Sequence, residues 1–210
     1  KWAIKPVEIA WFQQKQFVGD ASHELKTPLT VITTNAELLQ NSDLDKSDIA
    51  SFSSNILVMA RQMRCLVEQM LTLARTDQVD LKLSFDRLDL SSLLSRTLLL
   101  FEPLYFELGY TLKTDIDESI TITGNEDHLK QAIDILLDNA SKYTCKNGLI
   151  SVSLKRESNN RILLCVSDEG DPIPEQEIDQ LFKRFYRSDP ARSRSGSFGL
   201  GLAIAENIVR

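Results

Sequence analysis

The sequence predicts a multidomain fold, α followed by α+β: a helical hairpin that dimerises into a four-helix bundle, then an α/β sandwich domain. Three observations predict it. Apolar residues recur in steps of three and four at Val18, Ala21, Leu25, Leu29 (or Pro28), Ile32, Ala36 and Leu39, one narrow stripe of a long helix. A second heptad run follows at Ile49, Phe52, Ile56, Met59, Met63, Leu66, Met70 and Leu73. After Asp80 this periodicity gives way to short strand-like runs alternating with helices.

The first helix is expected to start near Pro6, a residue suited to an initial helical turn, and to run to about Gln40. A polar stretch, 41–47, makes the turn into the second helix. Two helices with such narrow stripes bury little in one hairpin, so a homodimer of two hairpins is expected, with the methionine-rich stripe as its core. The domains are placed at 1–80, a linker at 81–86 and the second domain at 87–210. In that domain strands are expected at 111–116, 119–123, 149–155 and 161–167, and helices at 90–108 and 126–143. Helices on one face of a mixed sheet make the sandwich.

Composition narrows the partners. A net charge of −6 over 210 residues argues against nucleic acid, whose phosphates need a basic footprint. No apolar run approaches the length that crosses a bilayer, and no signal peptide is visible. Cys65, Cys145 and Cys165 have no metal-like spacing and read as reduced thiols of a cytosolic protein.

The most informative stretch is 17–34, which sets His23, Glu24, Thr27 and Pro28 on the first helix. His23 lies two residues from both Ala21 and Leu25, about 200° round the helix from each at about 100° per residue, so it points to solvent. A lone histidine there reads as a solvated surface residue. Glu24 beside it can take a proton from the ring or hold its tautomer. Pro28 lacks the N–H that would bond the Glu24 carbonyl, which predicts a bend just beyond the histidine. The segment Ser22 to Leu29, SHELKTPL, resembles the phosphoacceptor box of the sensor histidine kinases of two-component systems, close to SHELRTPL in that family, with one Lys for Arg.

The resemblance extends downstream. On the helix 126–143, Leu129, Ala132, Ile133, Leu136 and Ala140 form the apolar stripe, and Asn139, Lys142 and Tyr143 share a face beside it. An amide oxygen, an ammonium and an aromatic plane suit a cation, a phosphate and a base, although polar residues flank most amphipathic helices. Ile135 to Thr144 resembles the family's asparagine box, which implies that Asn139 ligates Mg²⁺ and that Lys142 and Tyr143 contact ATP. The strand ending in Asp168 enters the turn Glu169-Gly170-Asp171-Pro172-Ile173-Pro174, where a carboxylate could equally cap the turn. Asp168 and Gly170 match the family's DxGxGIP box, which implies an aspartate reading the adenine amine. Residues 181–187 resemble its phenylalanine box, with Phe182 and Phe185 as core or lid anchors and Arg187 as a phosphate contact through its guanidinium fork. Arg192 and Arg194 lie in a serine-rich stretch that reads as a mobile lid or a solvated loop. Gly196, Gly199 and Gly201 precede a last helix, where backbone N–H groups can approach phosphate.

The resemblance covers about residues 15–205 and implies an ATP-dependent protein-histidine kinase. His23 accepts the γ-phosphoryl group, Glu24 takes its proton, and the phosphoryl passes to an aspartate of a response-regulator receiver domain. Thr27, one turn on, positions water for the reverse dephosphorylation. The chain is then the cytoplasmic portion of a membrane-anchored bacterial protein, anchored by segments outside this sequence. Ile135 departs from the family's first asparagine and Pro172 from its second glycine, and two family strands are expected beyond Arg210. These departures keep a second reading open, a catalytically silent dimerisation and docking module. A third, an ATPase clamp of the wider gyrase and ninety-kilodalton chaperone superfamily, conflicts with the phosphoacceptor helix.

Overall fold

The computed structural model describes residues 5–40, 44–76, 84–158, 161–188 and 197–209. The chain divides into two units. One comprises residues 1–74 with 183–200, the other residues 75–182 with 201–210.

The first unit is built on the predicted helices, α1 (Lys5–Leu38) and α2 (Lys46–Thr76). Pro28 lies inside α1, which continues as a helix through it. Hydroxyls serve carbonyls along the same helix, Ser22 Oγ donating to Val18 O at 2.7 Å and Thr33 Oγ1 to Leu29 O at 2.9 Å. Asp45 caps α2, its carboxylate accepting from the Asp48 N–H at 2.8 Å. The packed stripe of α1 passes through Pro28, the alternative to Leu29, and departs from the expectation where Val18 and Ala36 are exposed and Asn35 is buried. Asn35 tolerates burial because both ends of its amide are bonded: Nδ2 donates to Val31 O at 2.7 Å and Oδ1 accepts from Asn55 at 3.2 Å. On α2, Leu66 and Leu73 are fully buried and Phe52, Ile56, Met59, Met63 and Met70 half-buried, while Ile49 at the helix start is exposed. Trp11, Phe12, Val18, Leu29, Leu57 and Leu71 all remain exposed on this protomer.

Arg184 and Phe185 of this unit pack beside α1. The rings of Phe17 and Phe185 lie 5.6 Å apart, and the Arg184 guanidinium sits 5.5 Å from the Phe17 ring.

The second unit holds two small sheets. β1 (Asp86–Asp89) pairs antiparallel with β3 (Thr121–Gly124). β2 (Thr111–Ile116) runs parallel to β4 (Leu149–Arg156), which pairs antiparallel with β5 (Ile162–Asp168), giving the order β2-β4-β5. β1 was not expected. β3 begins two residues later than expected because Ser119 sits at φ 56° in the preceding turn. Helices α3 (Leu90–Glu107) and α4 (Glu126–Tyr143) cover the sheets, with the short α5 (Glu175–Ile178) and α6 (Gly201–Val209) after them. Asp89 and Asn125 cap α3 and α4, accepting from the N–H groups of Ser92 and His128. The core joins Leu94 and Leu98 of α3, Ile133 and Leu137 of α4, and Ile150, Val152 and Leu154 of β4. Leu137, rather than Leu136, is the fully buried residue of the α4 stripe. Truncating such a leucine costs about 2–5 kcal/mol.

Candidate functional site

The residues expected to act as phosphoryl acceptor and its neighbours lie on α1. His23 and Thr27 are exposed and Glu24 is half-buried, while Ala21 and Pro28 are buried. Helical geometry alone produces this, because the buried stripe passes through residues 21, 25 and 28 and turns 23 and 27 outward. An imidazole held open to solvent, with a carboxylate next in sequence, can act as a nucleophile whose proton has a nearby acceptor.

The residues expected to bind nucleotide that lie in the second unit come from α4, the turn after β5 and the start of α6. At its C-terminal end α4 meets that turn: Thr144 and Gly170 form an isolated antiparallel bridge, and Cys145 N donates to Glu169 O at 3.0 Å. Gly170 is required there. A Cβ on it would lie 2.6 Å from Tyr143 O and 2.5 Å from Asp168 Oδ1, which any side chain would force apart. Asp168 is thus held against the end of the helix that carries Asn139, Lys142 and Tyr143. Burial pushes its carboxyl above the usual aspartate range, with the Gly170 N–H pulling the other way. Lys142 Nζ donates to Asp138 Oδ2 at 2.5 Å, an i,i+4 ion pair that the sequence reading did not use although the spacing announces it. Tyr143 is 44 % exposed.

Gly201 opens α6, and a Cβ built on it would lie 3.2 Å from Ile135 Cγ2. Ile135 therefore packs at the N-terminus of α6, one turn before Asn139. Where the family pattern has an asparagine, this chain has an apolar contact between two helices.

Arg187 and Gly199 fall in the other unit, and Arg187 is half-buried. Phe185 N donates to Gly199 O at 2.9 Å, closing this segment on itself. Gly199 adopts φ 67°, and a Cβ there would lie 2.5 Å from Tyr186 O, so only glycine fits. Gly196, Arg192 and Arg194 lie outside the described residues.

Among the described residues no three His, Cys, Asp or Glu side chains cluster to hold an ion. The Asn139 carboxamide is half-exposed on α4, and an amide oxygen beside a bound polyphosphate suits the few protein ligands that Mg²⁺ takes alongside phosphates and water.

Residues 13–79 match the family model of the His Kinase A (phospho-acceptor) domain, and residues 124–210 match the Histidine kinase-, DNA gyrase B-, and HSP90-like ATPase. The sensor protein DltS of Streptococcus agalactiae is 35 % identical over 209 residues, covering 100 % of this chain and 52 % of its own length. The sensor histidine kinase YkoH of Bacillus subtilis is 40 % identical over 202 residues, covering 94 % of this chain and 42 % of its own. The chain thus spans about half the length of the curated relatives it matches. The structure of the histidine kinase ThkA in complex with the response regulator protein TrrA shares the fold, with a TM-score of 0.73 at 18 % identity over 88 % of this chain and 54 % of that one. Among the described residues no helix is long and apolar enough to cross a membrane.

Proposed function

Since the chain belongs to the sensor histidine kinases and carries both domains of their catalytic core, we propose that it autophosphorylates His23 from ATP and passes the phosphoryl group to an aspartate of a response-regulator receiver domain. The observation that carries the reading is the exposed His23 on α1, with the half-buried Glu24 beside it in the segment SHELKTPL. Nε2 of His23 attacks the γ-phosphorus as Glu24 takes the Nδ1 proton, and ADP leaves. Asp168 accepts from the adenine exocyclic amine, and its raised pKa fits a carboxylate kept partly dry for a polar partner. Tyr143 lies along the base. Lys142 exchanges Asp138 for phosphate when nucleotide binds, and Arg187 adds a guanidinium to the same charge. Gly196, Gly199 and Gly201 let the chain approach the phosphates ahead of α6. Mg²⁺, held by Asn139 together with the phosphates, supplies charge compensation.

The receiver partner is supported by the ThkA–TrrA complex, in which a kinase of this fold is bound to its response regulator. The homodimer is supported by the apolar side chains that the hairpin leaves exposed, among them Val18, Leu29, Leu57 and Leu71. Thr27, exposed one turn beyond His23, orients water for dephosphorylation of the regulator. The chain works as the cytoplasmic part of a membrane-anchored sensor.

Incubation with γ-labelled ATP and Mg²⁺ tests the reading. The label is expected to stay on the protein in base, leave in acid, and chase to an added receiver domain. Absence of protein-bound label, with ATP binding also lost, favours the silent docking module, in which nucleotide binding has lapsed. Thr27→Ala is expected to keep autophosphorylation and slow regulator dephosphorylation; an equal fall in both makes Thr27 a packing residue.

A further inference from the structure

The nucleotide helix α4 is gripped from behind by two tyrosines that no motif marks. Tyr105, near the end of α3, is 1 % exposed, and its hydroxyl donates to Leu137 O at 2.8 Å. Tyr110, just before β2, directs its hydroxyl at Ser141 O (3.2 Å) and Thr144 O (3.3 Å). The two are tied together: Tyr110 N donates to Tyr105 O at 2.8 Å, and their rings lie 6.4 Å apart, with Phe101 stacked 5.8 Å beyond Tyr105.

The placement on α4 is informative. At about 100° per residue, Leu137 and Ser141 lie within about 40° of one another on the helix. Asn139, Lys142 and Tyr143 lie about 140° to 240° round from Leu137, on the opposite side. The last carbonyls of a helix have no partner within it and must find one elsewhere. Ala140 O is served by Thr144, through its N–H at 3.1 Å and its hydroxyl at 2.5 Å. Ser141 O and Thr144 O are served by the single Tyr110 hydroxyl. The same end of α4 carries the Thr144–Gly170 bridge and the close approach of Tyr143 O to Gly170. Whatever fixes residues 141–144 also fixes how Tyr143 stands relative to Asp168.

We infer that Tyr110, backed by Tyr105, is a positioning residue for base recognition: its hydroxyl sets the C-terminal turn of α4 against the Asp168–Gly170 turn, and so governs the preference for adenine over a base lacking the exocyclic amine. The inference rests on the ATP-binding reading above. The tyrosines touch no substrate; they act through the helix and the turn. The Tyr105 hydroxyl is pushed up in pKa, by burial first and then by the charges of Asp138 and Asp168, so it stays a donor across the physiological range.

The test compares ATP with inosine triphosphate, which carries a carbonyl in place of the amine. Tyr110→Phe removes one oxygen and keeps the ring. It is expected to raise the KM for ATP about fivefold, leave kcat within twofold, and lower the ATP-over-ITP preference at least threefold. In an Asp168→Ala background the same substitution is expected to leave the preference unchanged, because the group being positioned is gone. An unaltered KM and preference in Tyr110→Phe overturns the proposal, even if the thermal midpoint falls. An equal loss of preference in both backgrounds overturns it too. Tyr105→Phe, read by the same ratio, decides the matter if Tyr110→Phe fails to fold. The unsubstituted protein is measured first: if it does not bind ATP, the kinase reading itself fails, and an ATP-binding parent with insensitive variants removes only the tyrosine proposal.

Discussion

The hairpin and the α+β unit solve opposite problems. Among the described residues of α1 and α2, Ala21, Leu66 and Leu73 are the buried apolar ones, and large side chains such as Trp11, Val18, Leu29 and Leu71 stay in solvent. The α+β unit closes a continuous core around Leu94, Leu137 and Leu154. Its functional groups stand on a helix anchored along its length by that core, whereas His23 stands on a helix whose packing is incomplete in one protomer. A nucleotide site needs groups from several elements held in register, which a dense core supplies. The imidazole proposed as phosphoryl acceptor is served by exposure, which a thin helical stripe supplies.

The sharpest way to break the comparison is to disturb the register of the nucleotide site while leaving the acceptor helix alone. Gly170→Ala places a methyl 2.6 Å from Tyr143 O and 2.5 Å from Asp168 Oδ1. Relief of such overpacking costs about 1–3 kcal/mol, and the upper part of that range is about a hundredfold in affinity. Titration with a fluorescent ATP analogue is expected to show a loss of that order, with the hairpin dimer unchanged by sedimentation. Unaltered affinity would mean that the turn after β5 does not organise the site.

The reverse disturbance is Leu29→Glu, on a leucine 53 % exposed in the protomer. If the hairpin is completed by a second copy, the charge weakens dimerisation by tenfold or more, about 1.4 kcal/mol, while ATP affinity stays within twofold. Sedimentation equilibrium and nucleotide titration on the same sample read both. A dimer of wild-type strength would move the interface to another face of the hairpin.

A smaller effect concerns Asp168. Its carboxyl is raised in pKa by burial, so in the folded chain it holds a proton more readily than when unfolded. The sign follows: the protonated form favours folding, so the contribution is fully present below the unfolded pKa and is lost as pH rises through the folded value. At pH 7 the ionised group costs the nucleotide-free fold something. Asp168→Asn is expected to raise the thermal midpoint without nucleotide by no more than about 2 °C at pH 7, with the gain fading towards pH 4, and to cost ATP binding at the same time. A lower midpoint at pH 7 would make Asp168 a structural cap and not a group kept for a ligand.

Legibility in the sequence followed the range of the interactions. The bounds of α4 are those expected, since Asn125 as cap and a 3.6-residue stripe are local signals. β1 was missed because Asp86–Asp89 offers a single half-buried leucine and exists through its pairing with β3, more than thirty residues away. The burial of Asn35 in place of Ala36 escaped notice for the same kind of reason: its partner Asn55 lies on the other helix. The exposure of His23 could be read from periodicity. The clasp of Gly170 on Tyr143, the contact of Ile135 with Gly201 and the hydroxyls behind α4 could not, because each joins segments that only the tertiary fold brings together.

The most direct test is to locate the phosphate. The chain has two histidines, His23 on the open face of α1 and His128 in the first turn of α4. After reaction with ATP and Mg²⁺, peptide mapping by mass spectrometry under alkaline conditions is expected to find one phosphohistidine, at His23, and His23→Gln is expected to abolish it while ATP binding persists. Phosphate on His128, or full incorporation in His23→Gln, would contradict the account.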